Sequence, residues 1–186
     1  PYLISEYNGH MYPTKSYDWE EHRVWHAMRH VNVLDAVAVE ADIAGSFGWC
    51  MFDYNTHKDF GSGDRICYHG VMDMFRNPKL AAAGYMCQQE KEPVLEISSS
   101  MDIGEHPGCN RGTIWIFTNA DSVRMYKNDR FLKEYTASDS PYKNLSHGPI
   151  AVDDFIGDAI EKEEDFKPEQ ARNCLLYTSP SPRDCS

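Results

Sequence analysis

Positive charge is scarce in this chain: 18 Lys and Arg stand against 29 Asp and Glu among 186 residues, a formal net charge of −11. Phosphate backbones are held mainly by Lys and Arg, so no nucleic-acid partner is expected. Long apolar runs are lacking as well. No stretch approaches the roughly 20 residues needed to cross a bilayer, and no basic segment followed by an apolar one opens the chain. The residues read as soluble, with no membrane partner, and a signal peptide would lie outside them, which leaves the cellular address unassigned. The six cysteines, at 50, 67, 87, 109, 174 and 185, form no Cys-x-x-Cys pair and no Cys/His zinc spacing. They read as buried thiols rather than disulfides. His22, His26 and His30 would share one helix face and could in principle hold a metal. No carboxylate or cysteine is evidently brought alongside, so the reading is structural, with no metal and no cofactor expected. There is no internal repeat.

What is present begins at once. The apolar run Tyr2-Leu3-Ile4 delivers Glu6 to a turn at Asn8-Gly9, which reads as a buried strand followed by a loop. Asp18 with Glu21 forms a capping-box pattern, and Val24, Ala27, Met28, Val31, Leu34 and Ala38 give a 3.6-residue stripe. A helix of about 24 residues, ending near Gly45, is expected from that stripe. The aromatic run Ser46–Tyr54 suits a strand buried on both faces, closed by Asp53, Asn55, Thr56 and His57. A Gly-rich loop then leads to a second helix over 79–89, with Asn77 as its cap and Pro78 in its first position.

The pattern changes at Pro93. Residues 94–97, 113–118, 122–126 and 130–135 are short alternating runs, the last two joined by Lys127-Asn128-Asp129. These are hairpin signals of an antiparallel sandwich. The acidic stretch 153–165 does not match a calcium loop and reads as a solvated face. The fold class expected is α/β followed by all-β.

A strand-terminal Glu is by itself a weak signal. Strands and helices that alternate, with polar residues clustered after each strand, are what a parallel barrel shows, whose chemistry sits on the loops at the strands' C-terminal ends. Trp49, near the second such end, would offer a platform to the apolar face of a pyranose.

The stretches Pro1–Lys15, Gly48–Tyr54, Gly70–Asp73 and Pro78-Lys79 resemble, in order and spacing, the closing part of the catalytic barrel in glycoside hydrolase family 2, the β-galactosidase type. Ile116–Val123 resembles part of the immunoglobulin-like sandwich that follows that barrel. The resemblance implies three parts: 1–91, the last two βα units of a TIM (β/α)8 barrel; 92–173, an incomplete Ig-like β-sandwich; and 174–186, a tail. Residues 174–184 also resemble a translated sequencing adapter, and the natural chain is expected to continue past Asn173.

Position by position, the resemblance makes Glu6 the nucleophile, Trp49 the aromatic at the last barrel strand, and Asn8 and His10 contacts to the sugar. Asp53 and Tyr54 match a recurrent pair, read as bracing the loop. A retaining glycosidase also needs a protonated carboxyl about 5 Å from the nucleophile. In the family that acid is a Glu preceded by Asn, and no Asn-Glu pair occurs in this chain. The expectation is a complete protein that hydrolyses terminal β-galactosides by double displacement, and a fragment inactive on its own. β-Glucuronidase, β-mannosidase and a non-catalytic carbohydrate-binding or structural module are the alternatives. The expected partner is a carbohydrate substrate.

Overall fold

The computed structural model describes residues 1–9, 12–57, 65–101, 112–127, 129–155, 157–158, 162, 167 and 169–170. It opens as a β-α-β unit. Strand β1 (Tyr2–Tyr7) leads into helix α1 (Glu20–Ala38), and the chain returns as β2 (Ile43–Gly48), parallel to β1 with Tyr2 beside Ile43 and Tyr7 beside Gly48. Parallel neighbours cannot be joined by a tight turn, and the helix supplies the crossover. Beyond β2, the short strands β3 (Tyr54–Asn55) and β4 (Ile66–Cys67) pair antiparallel. The chain then enters α2 (Leu80–Met86), which shares a buried core with α1.

Several boundaries differ from the expected ones. α1 has 19 residues, and Trp19, not Asp18, occupies its N-cap without a side-chain bond. The Asp18 carboxylate is engaged elsewhere: its Oδ2 accepts from the Lys15 backbone N–H at 2.6 Å. The middle of the stripe, Ala27, Met28 and Val31, is buried, whereas Ala38 at the end is exposed. β2 begins before the aromatic run and stops at Gly48, so Trp49 lies just past the strand rather than inside it. α2 starts after Lys79, with Pro78 outside the helix. Asn77 does not cap it, because its backbone and side-chain N–H groups both donate to Asp73, at 2.8 Å each.

The chain's second part holds two antiparallel sheets. β5 (Leu95–Ile97), β6 (Ile114–Thr118) and β9 (Ile150–Val152) form one, with β6 in the middle. β7 (Ser122–Lys127) and β8 (Arg130–Thr136) form the expected hairpin, with Asp129 in its turn at φ 64°. β9 has no counterpart among the expected strands; three residues are too few to show an alternation.

β6 is buried on both faces, and its residues divide at the strand period of two. Ile114 and Ile116 pack with Tyr135, Ile150 and Val152, so the hairpin closes over the three-stranded sheet. Phe117, and Trp115 at the margin, join the core of α1 and α2 instead. Polar bonds reinforce this junction. Tyr142 Oη donates to Asn32 Oδ1 at 3.0 Å, and Asn144 Nδ2 donates to Asp35 Oδ2 at 3.0 Å.

β1 and β2 are not buried on both faces within the described residues: Leu3 is 61% and Phe47 60% exposed. A parallel sheet is ordinarily covered on both sides, and two strands alone cannot cover themselves.

Phe117 is fully buried where the two cores adjoin. Phe117→Ala should therefore cost about 3–5 kcal/mol, read as a lowered midpoint in urea denaturation, whereas a substitution at exposed Leu95 should leave it within about 0.5 kcal/mol.

Candidate active site

Glu6 is the last residue but one of β1, and its side chain is exposed. Tyr7, next along, projects from the opposite face, as the pleat requires, and its hydroxyl meets Tyr85 of α2. At the strand's end Asn8 adopts the left-handed conformation with φ 59°, which Asn tolerates better than most residues. Gly9 follows for a steric reason: a Cβ there would run into Glu6 Oε1. The carboxylate thus lies against the backbone of its own turn, and any larger residue would displace it.

Trp49 is tied to the same strand end. Its backbone N–H donates to Tyr7 O at 2.8 Å, its peptide bond to Cys50 is cis, and its half-buried ring meets Tyr54 edge-on with centroids 5.9 Å apart. Asn8 and Trp49 line one small cleft, together with Tyr12, His26, Arg29, His30 and His69. Asn8 Nδ2 is buried there without a hydrogen-bond partner. Glu6 does not line this cleft, although it lies on the same β1 end. His10 falls outside the described residues. Of the four residues expected at the site, the structure therefore brings Asn8 and Trp49 together and leaves Glu6 free beside them.

The second carboxylate near this end of the sheet is Asp53, and it is committed. Lys79 Nζ reaches Asp53 Oδ1 at 2.6 Å, with both side chains only 3% exposed. The same ammonium donates to Thr14 O at 2.7 Å and Tyr68 O at 3.2 Å, while Gly70 N–H donates to Asp53 Oδ1 at 2.9 Å. Burial raises the Asp53 pKa and lowers that of Lys79, and their mutual hydrogen bond opposes both shifts. Gly70 has no room for a side chain, because a Cβ would overlap Asp53 N and Met72 O. Asp53 therefore braces the loops and is not placed to act as an acid.

The three histidines of α1 go different ways. His22 stacks on Tyr12 at 4.5 Å and bonds Pro13 O, while His26 and His30 are buried edge-to-face at 5.3 Å. Burial first, then the neighbouring His30 and Lys79, pull His26 down to about 3. Among the described residues there is no group of three or more His, Cys, Asp or Glu able to hold a metal.

Lys79, Gly9, Tyr85 and His30 escaped the sequence reading as site residues. Gly9 showed only as a turn signal. A buried ion pair between positions 26 apart has no local pattern at all.

Two outcomes follow from the electrostatics. Lys79→Met should strand Asp53 without its cation and cost about 3–5 kcal/mol, measured by urea denaturation. His26 stays neutral when folded but binds a proton near pH 6.5 when unfolded, so its contribution is complete above that pH and is lost as pH falls towards 3. By pH 5 the loss should be about 2 kcal/mol, and denaturation midpoints of His26→Gln should show a flatter slope over the same interval.

No family model matches the chain. Sequence relatives are clear nonetheless. The chain is 47% identical over 156 residues to the β-galactosidase of Thermoanaerobacterium thermosulfurigenes, a match covering 82% of this chain and 22% of that protein. It is 42% identical over 152 residues to the β-galactosidase of Thermoanaerobacter pseudethanolicus, covering 80% and 20%. The chain thus spans about a fifth of the length of these relatives. Among solved structures, a Bacteroides uniformis β-glucuronidase covalently bound to a cyclophellitol-6-carboxylate aziridine superposes with TM-score 0.57 at 16% identity, over 82% of this chain and 18% of that one. A putative β-galactosidase from Bacteroides fragilis gives TM-score 0.54 at 16%, over 82% and 23%; at such identities these speak for the fold alone. By sequence the chain is a relative of β-galactosidases over the fifth of their length that it spans, and its fold resembles part of a β-glucuronidase from glycoside hydrolase family 2, with TM-score 0.53 at 19% identity over 82% of this chain and 17% of that one.

Proposed function

We propose that the complete protein is a retaining exo-glycosidase that hydrolyses terminal β-galactosides by double displacement, with Glu6 as its nucleophile. The observation that carries this is the placement of Glu6: an exposed carboxylate at the end of β1, against Gly9, with Trp49 bonded to the same strand end. In the first step a Glu6 oxygen attacks the anomeric carbon as the bond to the leaving oxygen breaks, and a carboxylic acid protonates that oxygen. In the second, water attacks the glycosyl-enzyme and restores Glu6. The acid must come from residues outside this chain, since Asp53 is paired with Lys79 and no Asn-Glu pair occurs. These residues alone are therefore inactive. Trp49 stacks on the apolar face of the sugar, and the unpartnered Nδ2 of Asn8, with His10, donates to its hydroxyls.

The architecture in this reading is that of a barrel's end followed by a sandwich. The parallel β1-α1-β2 unit and α2 support residues 1–91 as the last two βα units of a TIM barrel, whose missing strands would cover Leu3 and Phe47. The two antiparallel sheets support an Ig-like sandwich over 92–173. Galactoside is favoured over glucuronide or mannoside by the sequence relatives. A purely carbohydrate-binding role for the sandwich finds less support, because Tyr135 is buried and Tyr142 spends its hydroxyl on Asn32.

In the complete enzyme, Glu6→Gln should lower kcat on a nitrophenyl β-galactoside by at least about a thousandfold, and a fluorinated galactoside should label Glu6 covalently; normal turnover would sink the assignment. Gly9→Ala should lower kcat by about tenfold or more through displacement of the carboxylate, with the nitrophenyl galactoside assay as the measure. Across a panel of nitrophenyl glycosides the galactoside should be turned over fastest.

A further inference from the structure

Behind the strand ends, on the face away from Glu6, β1, α2 and α1 each contribute one side chain to a single hydrogen-bonded row. Tyr7 Oη meets Tyr85 Oη of α2 at 2.5 Å, and Tyr85 Oη meets His30 Nδ1 of α1 at 2.7 Å. Burial pushes both phenols up, so both hydroxyls keep their protons and remain donors. The row depends on Gly48, because a Cβ there would overlap Tyr85 Oη and come within 3.1 Å of the Tyr7 ring. Both strands meet the row beside the site: Tyr7 follows Glu6 directly, and Gly48, against which the row packs, precedes Trp49.

We propose that the row Tyr7–Tyr85–His30, packed against Gly48 of β2, is the positioning device of the site, fixing from behind the strands the offset between the Glu6 carboxylate and the Trp49 ring. β1 and β2 are otherwise joined by a ladder whose register slips twice, between Tyr2 and Leu3 and between Ile4 and Tyr7. The second slip falls on the segment that holds Glu6. Backbone pairing therefore leaves the placement of Glu6 less constrained than a regular ladder would, and the side-chain row supplies a second tie where pairing is irregular. Tyr85 and His30, the latter almost wholly buried where it borders the cleft of Asn8 and Trp49, are positioning residues that act through Tyr7. A small misplacement of a nucleophile lowers the chemical step more than it lowers binding.

The inference rests on the assignment of Glu6 as nucleophile, and its test separates the two. In the complete enzyme, Tyr85→Phe keeps the ring and removes only the shared hydroxyl. Its kcat, and the rate at which a fluorinated galactoside labels Glu6, should both fall by about tenfold or more while KM stays within about twofold. His30→Leu should behave alike, His30→Gln should restore most of the rate because an amide oxygen still accepts from Tyr85, and the double variant Tyr85→Phe/His30→Leu should be no slower than Tyr85→Phe. Ile150→Val, a packing change in the separate cluster of the antiparallel sheets, should leave kcat unchanged and so separates positioning from general destabilisation. Labelling of Glu6 at the wild-type rate in Tyr85→Phe would overturn the row's role and leave the nucleophile standing. Failure of the unaltered enzyme to be labelled at Glu6 would remove the nucleophile, and the row's role with it.

Discussion

The Lys79 ammonium is the contact on which this arrangement depends. It is almost wholly buried at the start of α2 and holds Asp53 Oδ1, Thr14 O and Tyr68 O at once. Those three acceptors belong to the loop after β2, the loop before α1 and the loop before α2. A buried charge is costly to desolvate and is tolerated only when its partners are close and its hydrogen-bonding capacity is filled. Lys79 has three donors and three acceptors. Asp53 is served by Lys79 and by the Gly70 N–H, and Gly70 must be glycine for that backbone to come so near.

The consequence for the site is a division of labour between two carboxylates. Glu6 is exposed over Gly9, while Asp53 is sealed into the loops by Lys79. Trp49 stands between the two systems, bonded through its backbone to Tyr7 on one side and followed at Asp53 by the braced loop on the other. The loop chemistry and the strand-end chemistry are thereby held to one another. On the far side, β6 unites the helical and sheet parts by offering one face to each: Phe117 to α1 and α2, Ile114 and Ile116 to the hairpin.

Much of this could be read along the chain because it repeats locally. The stripe Ala27, Met28, Val31 forecast the buried face of α1, and the alternating runs at 94–97, 113–118, 122–126 and 130–135 forecast four of the strands. Glu6 and Trp49 stood out as candidates because polar and aromatic groups gather at strand ends, and Asn8 only through the family resemblance. Boundaries were less legible. Asp18 looked like a cap, but a closer backbone donor at Lys15 took its carboxylate; Asn77 was likewise claimed by Asp73. β9 was too short to leave a pattern.

By itself, then, the sequence determined the order of helix and strands, the faces that they bury and the residue types at the strand ends, because each of these follows from periodicity and steric preference over a few neighbouring residues. Only the tertiary structure decided which carboxylate would be free and which sealed, that Lys79 would find Asp53, and that Tyr7, Tyr85 and His30 would share one row. Those outcomes join residues 26, 55 and 78 positions apart. Contacts at such separations have no signature in local spacing; they are set by how the layers pack.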